Sequence, residues 1–247
     1  MRALKSAFLI CAVVTTAAAQ SPEPPLGESR LTVHTLVRED IFAGWMDGDM
    51  ARFARGERNI EQLLTERPGQ RGNLLAWKAG AAVYRAVLAH EAGKADEFQR
   101  HFQQARDAFA EAASLKAGSS GVPAITGGTL VVFADRLPHE HRAAAWSQAY
   151  DAYAALWAEQ GAIVDKLPVH LKGELLAGLA QSASRTGRAG EAAQYVDRLL
   201  AALPGTPYEN VAKQWKADPA TVGNTTLTCK TCHNAGRLSA KLVSLNQ

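Results

Sequence analysis

The stretch from Gly173 to Thr206 reads GELLAGLAQSASRTGRAGEAAQYVDRLLAALPGT, and its spacing decides the fold class. Leu176, Leu179 and Ala180 recur at three- and four-residue steps, Gly187 interrupts, and Ala192, Val196 and Leu199 resume the same period until Pro204. Apolar residues at that spacing share one face of a helix, and a glycine between two such runs marks a tight turn. The segment is therefore a helix, a turn and a second helix folded back on the first. The same character extends back to Leu31: Ala, Leu, Glu, Arg and Gln dominate, and strand-like alternation is almost absent. The sequence predicts an all-α chain of antiparallel helical hairpins, a repeat array or a bundle.

Breakers place the other helices. A first pair is expected over Thr32 to Trp45 and Asp49 to Glu66, hinged at Asp47-Gly48 and stopped by Pro68-Gly69, with Ile41, Phe42 and Trp45 on one face. A second pair is expected over Asn73 to Glu91, carrying Trp77 and Tyr84, and over Ala95 to Leu115, carrying Phe98, Phe102 and Phe109. Lys116 to Gly128 is irregular and reads either as a long loop or as a short buried helix entered after Pro123. Pro138 to Gln160 carries Trp146, Tyr150, Tyr153 and Trp157 in a stripe that reads as packing between helices. Pro207 to Lys216 is a short helix, Asp218 to Thr228 a polar lead, and Thr228 to Leu245 a last helix with Leu238, Leu242 and Leu245 on its apolar edge.

Gly173 to Thr206 resembles a tetratricopeptide repeat, a 34-residue helix-turn-helix unit. Leu176, Leu179, Ala180, Gly187, Ala192, Val196, Leu199 and Pro204 fall in register, and Ala183 stands where a large residue is usual. Val37 to Gln70 fits the same frame loosely, and the middle hairpin needs an insertion. The resemblance implies stacked hairpins with a face for partner binding, and no particular chemistry.

A second stretch carries chemistry: Cys229-Lys230-Thr231-Cys232-His233. Cys-x-x-Cys-His is the attachment pattern of a c-type haem, in which two thiols add to the porphyrin vinyl groups and the histidine binds the iron. The third cysteine, Cys11, lies in a segment that reads as a cleavable export signal over residues 1–19. Arg2 and Lys5 precede an apolar run from Ala7 to Val14, and Ala17-Ala18-Ala19 precedes Gln20. An export signal and a haem-attachment motif support each other, and place the protein in a bacterial periplasm or outside the cell. The competing readings of the cysteine pair are a disulfide, a redox-active thiol pair or half of a zinc site. The expected organisation is the signal, a disordered Pro-rich leader over 20–30, a helical domain over 31–216, and a linker with the haem segment over 217–247.

The tail resembles class II cytochromes c, in which a helical bundle carries the motif on its last helix. The matching residues are Cys229, Cys232, His233 and Arg237. The resemblance implies haem c held covalently by Cys229 and Cys232, with His233 as proximal iron ligand and Arg237 near a propionate. A compact class I cytochrome fold is not expected after a motif so late in the sequence. For the sixth ligand the candidates are Met46, Met50, His34, His90, His101, His139, His141 and His170.

The expected function is single-electron transfer by an exported monohaem cytochrome docking on a redox partner protein. The alternatives are a helical-repeat adaptor with a structural or gas-sensing haem, and a peroxidase-like haem protein. The formal charge of +3 recommends neither nucleic acid nor an anionic membrane as partner. No apolar run after the signal approaches the length of a membrane span. Ser119-Ser120-Gly121 and Gly127-Gly128 lack the companions of a nucleophile elbow or a phosphate loop. Glu39-Asp40 reads as ordinary solvated helix surface.

Overall fold

The computed structural model describes residues 21–115, 121–222 and 236–247. Among the described residues the chain forms α-helices and short 3₁₀ turns and no strand. The helices are α1 (Val33–Asp47), α2 (Met50–Glu66), α3 (Arg71–Glu91), α4 (Ala95–Ser114), α5 (Gly121–Phe133), α6 (His139–Gln160), α7 (Val169–Arg185), α8 (Ala189–Ala202), α9 (Pro207–Ala217) and α10 (Arg237–Leu245). They pair in sequence as four hairpins: α1 with α2, α3 with α4, α5 with α6, and α7 with α8. The first helices of the hairpins pack in line, α1 on α3, α3 on α5 and α5 on α7. Together they form one layer, which places the beginnings of distant repeats along a common face.

Local chemistry explains the boundaries. Thr32 caps α1 by accepting from the Thr35 N–H, and Asp49 caps α2 by accepting from the Arg52 N–H. Pro68 opens a 3₁₀ turn that ends the first hairpin. The turn read at Gly187 separates α7 from α8. The least regular stretch resolves into α5, which begins at Gly121 and runs ten residues beyond Pro123. Its glycine pair is a packing device. A methyl group on Gly127 would lie 2.7 Å from the ring of Tyr153, and one on Gly178 of α7 would overlap the same ring. Tyr153 of α6 is fully buried between two helices that approach closely because those positions lack a Cβ.

The aromatic stripe of α6 packs the hairpins as expected. Trp146 and Tyr153 are buried, Trp157 meets Tyr195 of α8 edge to face, and the Tyr150 hydroxyl donates to Glu191 at 2.5 Å. Two expectations are corrected. Asp40 is buried, not solvated: its carboxylate accepts from Arg52 at 3.0 Å and from Arg55 at 2.6 and 2.7 Å, which fastens α1 to α2. The leader, expected to be disordered, is tied down from Leu26 onward. Arg67 donates to the carbonyls of Leu26, Glu28 and Leu31 at 2.6 to 2.9 Å, because a guanidinium offers several donors in one plane.

The tail beyond residue 235 packs on the body. Leu238 is buried, Leu242 and Leu245 rest against the core, and α10 lies on α1. Glu39 accepts from the Leu238 N–H at 2.6 Å, filling the donor left open in the first turn of α10, and Arg30 donates to the Leu245 carbonyl at 3.0 Å. The last helix is shorter than its apolar edge suggests. Gly236 has left-handed backbone, φ 92°, so helical continuity stops there and α10 starts at Arg237. On the other side of that segment, Val222 is buried against the core after the short helix α9.

Candidate functional site

Where the layer of first helices meets α6, the chain leaves a cavity of about 380 Å³. That volume lies in the ordinary range for small-molecule and cofactor sites, about 300 to 1,000 Å³. Its wall is built helix by helix. From α1 come His34, Arg38, Phe42 and Trp45, which fall at i, i+4, i+8 and i+11 and therefore share one face. Trp77 comes from α3, Ile125 and Thr129 from α5, Leu156 and Gln160 from α6, and His170, Leu171 and Glu174 from α7. The floor is aromatic. Trp77 packs against Phe42 at 5.8 Å and Trp45 at 6.2 Å between ring centroids, and against His34 at 5.1 Å.

One end of the cavity is cationic. Arg38 is held below the ordinary arginine range, first by burial and then by the nearby positive charge of Arg237, against which Glu39 acts. The pKa of His34 is pushed down to about 3, mainly by burial and further by Arg38, His170 and Arg237. His170 is also lowered by burial; Glu174, whose carboxylate lies 3.5 Å from its Nε2, pulls the other way. These directions agree on one geometry. The first turn of α10 brings Arg237 near enough for its charge to act on Arg38, His34 and His170, and burial disfavours the charged form of both imidazoles.

The wall has more donors than the protein answers. The indole nitrogens of Trp45 and Trp77 and Nε of Arg38 are buried and meet no acceptor among the described residues. Buried donors are normally paired, at a cost of about 1–3 kcal/mol each when they are not. Among the described residues Glu174 is the one carboxylate in the wall, and it is engaged with His170. The arrangement is an apolar, aromatic cavity with a positive end at Arg38. It suits a flat apolar molecule that carries acidic groups at one edge.

The structure sorts the histidine and methionine candidates. His34 and His170 lie at the cavity. His90, His139 and His141 gather at the far ends of α3, α4 and α6, where His141 packs on Phe102 at 4.5 Å and Phe98 at 5.5 Å. His101 is on α4, beside Gln104. Met46 and Met50 pack against the core at the turn between α1 and α2, outside the cavity wall. His139 and His141 join no group of three metal-binding side chains among the described residues. Cys229, Cys232 and His233 lie outside the described residues.

Sequence reasoning missed Arg38, Trp45 and Trp77 as site residues. The signal was present in α1, where a basic side chain and a histidine interrupt an otherwise apolar face. No helix among the described residues is long and apolar enough to cross a membrane. No protein-family model, curated protein or solved structure matches the chain, so the site is read from its own residues.

Proposed function

We propose that the chain is a monohaem c-type cytochrome that transfers single electrons, with its haem seated in the cavity between α1, α3, α5 and α7. The observation that carries this reading is the junction of motif and cavity: Cys229-x-x-Cys232-His233 stands four residues before Arg237, whose charge acts on Arg38, His34 and His170. Four residues of extended chain span at most about 14 Å, so a group attached at His233 is tethered close to the cavity mouth. Cys229 and Cys232 would hold the group by thioethers and His233 by its imidazole.

The residues present fit such a cofactor. Phe42, Trp45, Trp77, Leu156 and Leu171 offer an apolar and aromatic wall, and Arg38 with Arg237 offers charge for two propionates. The group would supply a one-electron iron couple. The chain's part would be to exclude water, with Trp77 and Phe42 in the wall, and to offset the carboxylate charge. The anchorage of α10, through Glu39 and Leu238, holds Arg237 in place beside Arg38. The exposed surface of the hairpin array would then serve as the docking face for a redox partner, and export to the periplasm would follow from the signal.

The test is the mass of the chain expressed with a cytochrome c maturation system. The expected result is the mature chain plus one haem, lost when Cys229 and Cys232 are both replaced by Ala. A wild-type chain at its bare peptide mass, produced where a control cytochrome matures, overturns the proposal.

A further inference from the structure

Two histidines reach the cavity, and their surroundings differ. Nε2 of His170 faces the Glu174 carboxylate at 3.5 Å, so one of its nitrogens is already committed. His34 has no hydrogen-bond partner among the described residues, and its nitrogens are not sealed off as those of Trp45 and Trp77 are. Its ring is held by contact with Trp77, at 5.1 Å between centroids and 47° between planes. It sits one turn before Arg38 on the same face of α1, on the helix against which α10 packs.

We infer that His34 is the second axial ligand of the haem iron, bound through a ring nitrogen that faces the cavity. This inference rests on the cytochrome reading above. A nitrogen lone pair with no hydrogen bond among the described residues, in a cavity walled by apolar rings, is available to a metal as it stands. The six other candidates, Met46, Met50, His90, His101, His139 and His141, lie away from the cavity, and of these His141 packs on Phe102 and Met46 on the core. His170 then acts as a neighbour whose pairing with Glu174 fills the adjoining wall. Two histidine ligands lower the reduction potential relative to a histidine and methionine pair, which makes this carrier a donor at the reducing end of the cytochrome range.

The experiment compares wild type, His34→Ala, His34→Met and His170→Ala by absorption and electron paramagnetic resonance, with pyridine haemochrome measured on each. The wild type is expected to be low-spin with two nitrogen ligands. His34→Ala is expected to become high-spin with an unchanged haemochrome, and added imidazole should restore the low-spin spectrum, which a misfolded variant would not do. His34→Met should show a methionine–iron charge-transfer band and a higher potential. His170→Ala should stay low-spin. A high-spin wild type, or low-spin bis-histidine bands retained in His34→Ala, overturns the assignment while leaving the covalent haem standing. Absence of haemochrome from the wild type itself overturns the cytochrome reading and the assignment with it.

Discussion

Two aromatic clusters in this molecule use the same residue types to opposite ends. In the hairpins α5 to α8, the indole of Trp146 donates to Asp135 at 2.8 Å, the hydroxyl of Tyr150 donates to Glu191, and Arg185 and Arg188 lie over the two rings. At the cavity, Trp45 and Trp77 are buried too, yet their indole nitrogens and Nε of Arg38 meet no acceptor among the described residues. Aromatic stripes alone do not separate core from site. What separates them is whether the polar tips of the buried side chains are satisfied by the protein itself.

The sharpest way to break that contrast sets Asp40 against Arg38. Asp40→Ala removes the carboxylate that Arg52 and Arg55 share, and should cost roughly 2–4 kcal/mol in urea unfolding, with both arginines partly solvated. Arg38→Leu should leave the stability of the haem-free chain unchanged or raised, because burial of the Arg38 charge outweighs the pull of Glu39 and its Nε has no acceptor among the described residues. Equal losses would contradict the claim that the cavity is built for something other than stability.

Overpacking at Tyr153 comes next. Gly178→Ala should cost about 1–3 kcal/mol and lower the thermal midpoint, because the added methyl overlaps a ring with nowhere to move. A neutral result would show that α6 and α7 do not approach as closely as the structure has them.

A smaller effect separates the two pairs of tryptophans. Trp146→Phe should cost about 1–2 kcal/mol through the lost bond to Asp135, which retains Arg185 as a partner. Trp77→Phe gives up no such bond and should cost less than Trp146→Phe in the haem-free chain.

The smallest effect is a titration. Hydrogen bonding to Glu191, then burial and the Glu191 charge, push the Tyr150 hydroxyl up to about 12, while Arg188 opposes them. A phenol whose folded pKa lies above its unfolded value adds stability in full below about pH 10, and that contribution disappears as pH rises through about 12. Ultraviolet titration should find one late tyrosine, and Glu191→Gln should move it earlier.

Much of the fold was legible in the sequence because its signals are local. The α1 to α4 hairpins follow from apolar period and breakers such as Asp47-Gly48 within one or two residues, and α7 with α8 turn at Gly187 as read, although α7 begins at Val169, four residues before the stretch from Gly173. Helix α5 was left open because Gly127-Gly128 argues against a helix by propensity, and the close fit of Tyr153 overrides that. Asp40 was misplaced on the surface because its two arginine partners are on the next helix, twelve and fifteen residues away. The Cys229-Lys230-Thr231-Cys232-His233 stretch, from which the haem proposal starts, is likewise local. Choosing His34 and His170 from eight candidates was beyond the sequence, since it depends on how the first helices of hairpins one and four come to line the same cavity. Arg237 was named for its distance from His233, and Arg38 went unnamed because only packing brings α10 onto α1.

The central claim is that this helical array carries one covalent haem at its cavity, and the pyridine haemochrome spectrum of the purified chain tests it most directly. The account predicts the bands of a haem joined by two thioethers, at one haem per chain, surviving acid–acetone extraction. A colourless protein, or colour that extraction removes, would contradict it.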